Sequence, residues 1–260
     1  MPDPDQASLQ CRDLTISVPG RTLVEALSLA SAAGEFVAVL GPNGVGKSLA
    51  LLTLAGLRPA DSGTITLNGK PLGEIPRQEI ATGLALLPQY TEDFFPTTVL
   101  DTVMIGRHPH IGRWRWETAE DRRIAMDALR RVDLGDMGNR DVLTLSGGER
   151  RRLAVAQVLA QSPRVFLLDE PTNHLDPQHQ LDVLQIFRDR ANGGHTVIAS
   201  LHDVNLAARF ADRCLVLYGD GRWEIGAAPD ILTAERLSEL YLTNMEPVSW
   251  RGGRLFVASG

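Results

Sequence analysis

Gly41-Pro42-Asn43-Gly44-Val45-Gly46-Lys47-Ser48 is the stretch that most limits what this chain can become. It fits G-x-x-x-x-G-K-[ST], a pattern whose glycines let main-chain N–H groups close on an anion. The flanks supply the context the pattern needs. Phe36-Val37-Ala38-Val39-Leu40 before it reads as a buried strand, and Leu49-Ala50-Leu51-Leu52-Thr53-Leu54 after it reads as a buried helix. Strand, glycine-rich turn and helix N-terminus together make an anion site, because the helix dipole and its unpaired N–H groups both favour negative charge. There the Lys47 ammonium would reach β- and γ-phosphates and the Ser48 hydroxyl would bind Mg²⁺.

The chain has 260 residues, 43% of them hydrophobic, enough for a substantial core in one large α/β domain. A net charge of −6 argues against a protein that grips nucleic-acid phosphates nonspecifically, and no nucleic-acid partner is expected. Arg150-Arg151-Arg152 is the one tight basic run and reads as a solvated helix face. Cys11 and Cys214 lie in unrelated apolar contexts, which speaks for free thiols in a reducing compartment. No apolar stretch approaches the roughly 20 residues of a membrane-spanning helix, and the acidic, polar Met1–Gln6 is unlike a secretory signal. The expectation is a soluble chain that meets a membrane only through a partner.

Leu14–Val18 alternates as a half-buried strand should, with Pro19-Gly20 turning it, and Leu27–Leu29 and Thr64–Gly69 read as further strands. These predict a small antiparallel sheet beside the phosphate loop. Gly83–Gln89 reads as a buried strand ending in Gln89. The next seventy or so residues are helical in pattern. Thr98 and Thr118 each open a helix-start pattern, and the second leads a helix with Ile124, Ala125, Ala128, Leu129 and Val132 on one face. His108 and His110 fit no metal pattern and read as surface residues. β/α alternation then resumes. Val165–Leu168 ends in Asp169-Glu170; a helix carrying Leu181, Val183, Leu184, Ile186 and Phe187 stops at Asn192-Gly193-Gly194; Thr196–Leu201 runs into His202; and Cys214–Tyr218 follows. Such units imply a mostly parallel sheet covered on both faces, with ligands at the strand C-terminal ends, where Ser48, Gln89, Asp169, Glu170 and His202 all fall.

Phosphoryl chemistry needs a carboxylate for the metal and a base or orienter for the attacking water. Asp169 fits the first role and Glu170 the second, although a lone Asp-Glu is usually no more than a polar strand end. Leu145-Ser146-Gly147-Gly148-Glu149 admits two readings. Ser-x-x-Glu is a capping box, and a buried helix follows; yet paired glycines cost up to about 1 kcal/mol each inside a helix. Bare N–H groups beside a serine hydroxyl describe a second phosphate site.

From end to end the chain resembles the ATP-binding subunit of an ABC transporter. Gly41–Ser48 is similar to Walker A, Val165–Glu170 to Walker B, and Leu145–Glu149 to the LSGGQ signature, with Glu149 in place of the commoner glutamine. Gln89 resembles the Q-loop residue, Asn173-His174-Leu175-Asp176 the D-loop and His202 the switch histidine. The resemblance implies a P-loop NTPase of the ABC type: a mainly parallel sheet, a small antiparallel β part and an inserted helical subdomain. Residues 8–90 and 160–235 would form the RecA-like core with its antiparallel part, 91–159 the helical subdomain and 236–260 a C-terminal extension. It also implies a homodimer holding two ATP, each between one chain's Gly41, Pro42, Asn43, Gly44, Val45, Gly46, Lys47, Ser48 and Leu49 and the other's Ser146, Gly147, Gly148 and Glu149. Ser48, Gln89 and Asp169 would bind Mg²⁺, and Glu170, His202 and Gln89 would serve hydrolysis. Asp176 reads as a helix cap, as a contact across the dimer, or as both.

Two positions depart from the family's pattern. An aromatic that stacks on adenine is usual near Val18, and none is evident here. Leu49 stands where a hydroxyl residue commonly follows the Walker A serine, at a cost of one hydrogen bond, about 1 kcal/mol. Leu87-Pro88-Gln89, Ile105–Pro109, Pro171–Asp176 and His202–Ala208 resemble the importer subgroup for iron–siderophores, haem and cobalamin. That implies a separate integral-membrane permease, fed by a substrate-binding protein, with the ATPase peripheral on the cytoplasmic face of the membrane. The permease would dock beside Gln89, near Phe94, Phe95, Trp114 and Trp116, aromatics that equally suit packing of the helical part. Val248–Val257 reads as a hairpin with a Gly-Gly turn.

Overall fold

A computed structural model of the chain describes residues 7–89, 96–111, 116–250 and 253–259. The long strands β1 (Ala7–Val18) and β2 (Arg21–Ala32) pair around Gly20, and β3 (Phe36–Leu40) leads through the glycine-rich loop into α1 (Lys47–Leu54). β4 (Ser62–Leu67) turns back into β5 (Lys70–Pro71) through Asn68 and Gly69, both at positive φ as a tight hairpin requires. α2 (Arg77–Gly83) precedes β6 (Leu84–Leu87). Then come α3 (Val99–Met104), α4 (Ala119–Arg131) and α5 (Gly147–Gln161). Alternation returns with β7 (Val165–Asp169), α6 (Pro177–Asn192), β8 (Thr196–Ser200), α7 (Val204–Phe210) and β9 (Arg213–Leu217). β10 (Trp223–Ala227), α8 (Ala228–Ile231), α9 (Ala234–Tyr241), β11 (Asn244–Trp250) and β12 (Gly253–Ser259) complete the described chain.

One sheet runs in the order β10-β9-β3-β8-β7-β6, parallel apart from the β10 edge. A second, antiparallel sheet has the order β2-β1-β4-β5. The parallel strands are apolar without a break because both faces are covered. Alternate residues of β3 divide between two cores: Val37 and Val39 pack toward α1 and the antiparallel sheet, while Phe36, Ala38 and Leu40 pack toward the helices on the other side. β7 divides in the same way, with Val165 and Leu167 on one side and Phe166 and Leu168 on the other. Phe166 meets Phe187 of α6 edge-on, with ring centroids 5.5 Å apart. Cys11 and Cys214 are free and buried, and burial pushes both thiols up to about 12. Among the described residues, no helix is long and apolar enough to cross a membrane.

The helix starts follow their caps. Thr98 and Thr118 accept from the N–H groups of Asp101 and Asp121, and Asp176 caps α6 ahead of Pro177 at its first position. Two stretches differ from expectation. Gly83 ends α2 rather than opening a strand, and β6 stops at Leu87, because Pro88 has no N–H to continue the ladder. The C-terminal hairpin pairs as expected, although residues 251–252 of its predicted turn lie outside the described residues.

Arg107 and Asp121 fasten the helical part. Both are nearly buried; Arg107 Nε donates to Asp121 Oδ1 at 3.0 Å and a second nitrogen donates to the Ala160 carbonyl at 2.7 Å. Asp121 also closes the capping box of α4. Removing one member of a buried pair strands the other, so Arg107→Ala is expected to lower unfolding free energy by about 3–5 kcal/mol. A urea midpoint equal to wild type would show that the pair carries no such weight.

Candidate active site

The loop after β3 needs glycine at two places. A Cβ on Gly41, at φ 150°, would sit 2.5 Å from the Leu217 carbonyl oxygen. Gly46, at φ 107°, sets the entry to α1 and has Leu23 against it. Lys47 is 5% exposed, and its ammonium donates to the carbonyls of Gly41 at 2.7 Å and Pro42 at 3.1 Å. Burial lowers its pKa, while Glu170 and Asp169 pull the other way. The ammonium is therefore held over its own loop with both carboxylates within electrostatic reach.

A cleft of ≈ 460 Å³ opens beside this loop. Asn43, Gly44, Gly46, Lys47, Ser48 and Leu49 line one side, and Gln89, Glu170, Asn173 and His202 the other. Parallel strands with a common direction bring these distant positions to one end of the sheet. No Phe, Tyr or Trp side chain lines the cleft among the described residues; Val18, at the end of β1, packs against the apolar core below the antiparallel sheet.

Glu170 is the centre of the facing side. Its backbone is left-handed, at φ 49°, an arrangement that costs of order 1 kcal/mol for a residue with a Cβ. The surroundings hold it there. Its N–H donates to Ser200 Oγ at 2.8 Å, and the Ser200 hydroxyl donates in turn to Asp169 Oδ1 at 2.7 Å. Among the described residues three side chains converge on the carboxylate. Gln89 Nε2 donates to Oε2 at 2.8 Å, Asn173 Nδ2 to the same oxygen at 3.2 Å, and His202 Nε2 lies 2.6 Å from Oε1. A carboxylate so placed can orient a water and take its proton. Among the described residues Asp169 accepts the Ser200 hydroxyl through Oδ1 alone, and Ser48 lines the cleft. With the Gln89 amide oxygen these are hard, neutral or anionic oxygen donors, a set that fits Mg²⁺ shared with phosphates.

A family model described as ABC transporter matches residues 24–173. The chain belongs to the ABC transporter family. As an ABC ATPase it is 47% identical over 215 residues to the hemin import ATP-binding protein HmuV of Deinococcus radiodurans, covering 81% of this chain and 80% of that protein. It is 36% identical to the iron(3+)-hydroxamate import ATP-binding protein FhuC of Bacillus subtilis, over 93% of this chain and 90% of that one. A metal-chelate type ABC transporter in an inward-facing conformation superposes with TM-score 0.85 and 28% identity, over 98% of both chains. ABC importer subunits of this kind bind ATP, hydrolyse it and work with membrane permease components.

In this ABC ATPase the second glycine-rich stretch lies apart from the cleft: none of Ser146, Gly147, Gly148 or Glu149 lines it. Ser146 caps α5 and forms a capping box with Glu149, whose carboxylate accepts from the Ser146 N–H at 2.7 Å and is held below its usual range chiefly by that bond. Capping therefore holds geometrically, and it leaves Ser146 and Gly147 exposed at the helix N-terminus. Asp176 likewise caps α6 and pairs with His179 at 2.7 Å. His108 and His110 are exposed, as expected. Trp116 is 92% exposed, whereas Phe94, Phe95 and Trp114 lie outside the described residues.

The basic run is the main correction. Arg151 is buried, not solvated, and Arg150 and Arg152 donate to the carbonyls of Leu143, Leu145 and Val132. Helical spacing carries the missed signal: Gly148, Arg151, Val155 and Val158 fall three or four apart, on the inward face. Asn173, read only as part of the D-loop, reaches Glu170 directly, and Ser200, read only as strand, ties the two Walker B carboxylate residues together. A hydroxyl ending an otherwise apolar strand beside Asp169 was the available clue to Ser200.

Proposed function

We propose that two copies of this chain, on the cytoplasmic face of the membrane, power a haem importer. Each ATP lies between the phosphate loop of one copy and Ser146, Gly147 and Gly148 of the other. The observation that carries this reading is the single cleft in which Lys47, Ser48, Gln89, Glu170, Asn173 and His202 meet, while an exposed, N–H-rich signature turn stands elsewhere on the same chain. A chain with one of each half-site needs a twin to complete either. Haem is favoured as cargo by the hemin import proteins among the relatives, at up to 47% identity; iron–hydroxamate is the second reading, on the 36% identical relative.

Lys47 binds the β- and γ-phosphates, leaving its present carbonyl partners for stronger charged ones. Ser48 and Asp169, with Gln89 at the edge, would hold Mg²⁺, which supplies neutralisation of the phosphate charge. Glu170 orients the attacking water and takes its proton, and His202 senses the terminal phosphate from the other Glu170 oxygen. A groove of ≈ 310 Å³ lined by Leu87, Pro88, Ile105, Pro109 and Val158 adjoins Gln89 and is the proposed seat for the permease.

Lys47→Ala is expected to weaken ATP binding by 10-fold or more, at about 1.5–3 kcal/mol for a hydrogen-bonded charge. Titration of a fluorescent ATP analogue checks it, and unchanged affinity would contradict the phosphate-loop role. The transport reading is tested by reconstituting the chain with its permease in vesicles. ATPase should rise with haem-loaded binding protein; stimulation by an iron–hydroxamate complex alone would move the assignment to the second reading.

A further inference from the structure

Arg151 occupies a position that the reading above leaves unused. It lies on α5, one turn beyond Gly147 of the signature, and is 5% exposed. Among the described residues its guanidinium donates only to main-chain carbonyls. One terminal nitrogen reaches Asp169 O at 2.5 Å and Glu170 O at 2.7 Å; the other reaches Pro88 O at 2.7 Å and Gln89 O at 3.3 Å; Nε reaches Pro171 O at 3.3 Å. These carbonyls belong to two separate segments, the exit from β6 and the exit from β7. Burial pushes the guanidinium down to about 10, with Asp169 and Glu170 opposing, so it stays charged at neutral pH.

We propose that Arg151 is the positioning residue that ties the signature turn to Gln89 and Glu170 of the same chain, and so couples the two ATP sites of the pair. This rests on the composite-site reading above. A chain's signature turn closes on the ATP held by its twin, while its own Glu170 and Gln89 serve the ATP it holds itself. Arg151 bridges those two parts of one chain through a rigid helix and a planar five-donor group. Closure at one site therefore sets the carboxylate at the other. Lysine cannot reproduce the bridge, because a compact ammonium has three donors and no fixed fork.

The test compares Arg151→Gln and Arg151→Lys with wild type, as the full chain assembled with its permease. Lys47 and its loop are untouched, so the Kd for ATP should stay within about threefold, while kcat falls about 10- to 100-fold from displacement of Glu170. The Hill coefficient for ATP, near 2 for two coupled sites, should fall toward 1 in both variants. A Hill coefficient equal to wild type, or a kcat within threefold of it, overturns the proposal in whichever variant binds ATP. Parallel loss of ATP binding and melting temperature in both would show a merely structural residue, and overturns it too. Ser146→Arg is run beside them. Full turnover there overturns the composite site itself; loss of turnover there, with Arg151 variants like wild type, overturns only the coupling.

Discussion

Glu170→Gln should bind ATP normally and turn it over about 10²–10⁴-fold more slowly. The substitution changes charge and proton affinity with almost no change in shape. In the native site two amides and an imidazole converge on the carboxylate, from Gln89, Asn173 and His202. A glutamine offers one acceptor oxygen where the glutamate offers two, so one of those donors then faces an amide nitrogen. On the proposed role of Glu170, the water would lose both its base and the ordering around it. ATP affinity should hold, because Lys47 and the main-chain N–H groups of the loop are unaltered. Single-turnover hydrolysis beside equilibrium ATP binding separates the two effects, and the variant should accumulate as an ATP-bound dimer on gel filtration. Turnover within a few-fold of wild type would remove Glu170 from this role.

Ser146→Arg is expected to abolish steady-state hydrolysis, by more than about 10²-fold, without preventing folding or ATP binding by the separate chain. Ser146 caps α5, and its hydroxyl accepts from the Glu149 N–H at 3.3 Å. Loss of that cap costs about 1 kcal/mol, small for a chain of this size. On the proposed composite site the large effect would come from elsewhere: a bulky side chain on the exposed turn would block the approach of the twin's terminal phosphate. Melting temperature, ATP affinity and turnover measured together check this. A fall in affinity for the lone chain would place Ser146 beside its own ATP, against the separation of the two regions in the fold.

Much of this site was legible from residues because phosphate chemistry makes narrow demands. Gly41 and Gly46 announce a backbone that other residues cannot follow, and Lys47-Ser48 states what the loop is for. Unbroken apolar strands gave the sheet, since burial on both faces leaves no room for polar alternation, as β3 and β7 bear out. Other parts were hidden for physical reasons. An arginine that satisfies buried carbonyls from two loops has the same letter as a solvated one, and only its place on the inward face of α5 separates them. The end of β6 depends on one missing N–H at Pro88. Asn173 and Ser200 act over gaps in sequence that local pattern does not bridge.

The terminal ribbon bears on laboratory practice. Asn205 lies just behind His202, and its amide engages the main chain of Phe256 both ways: Nδ2 donates to the carbonyl at 3.2 Å and Oδ1 accepts from the N–H at 2.7 Å. Phe256 and Met245 complete the seal by burying themselves under α7 and α9. Trimming this tail for crystallisation, or splicing a reporter into it, would remove both of those bonds from α7, the helix that begins just after His202. Rates obtained from such shortened forms would describe a chain whose α7 has lost its outer anchor.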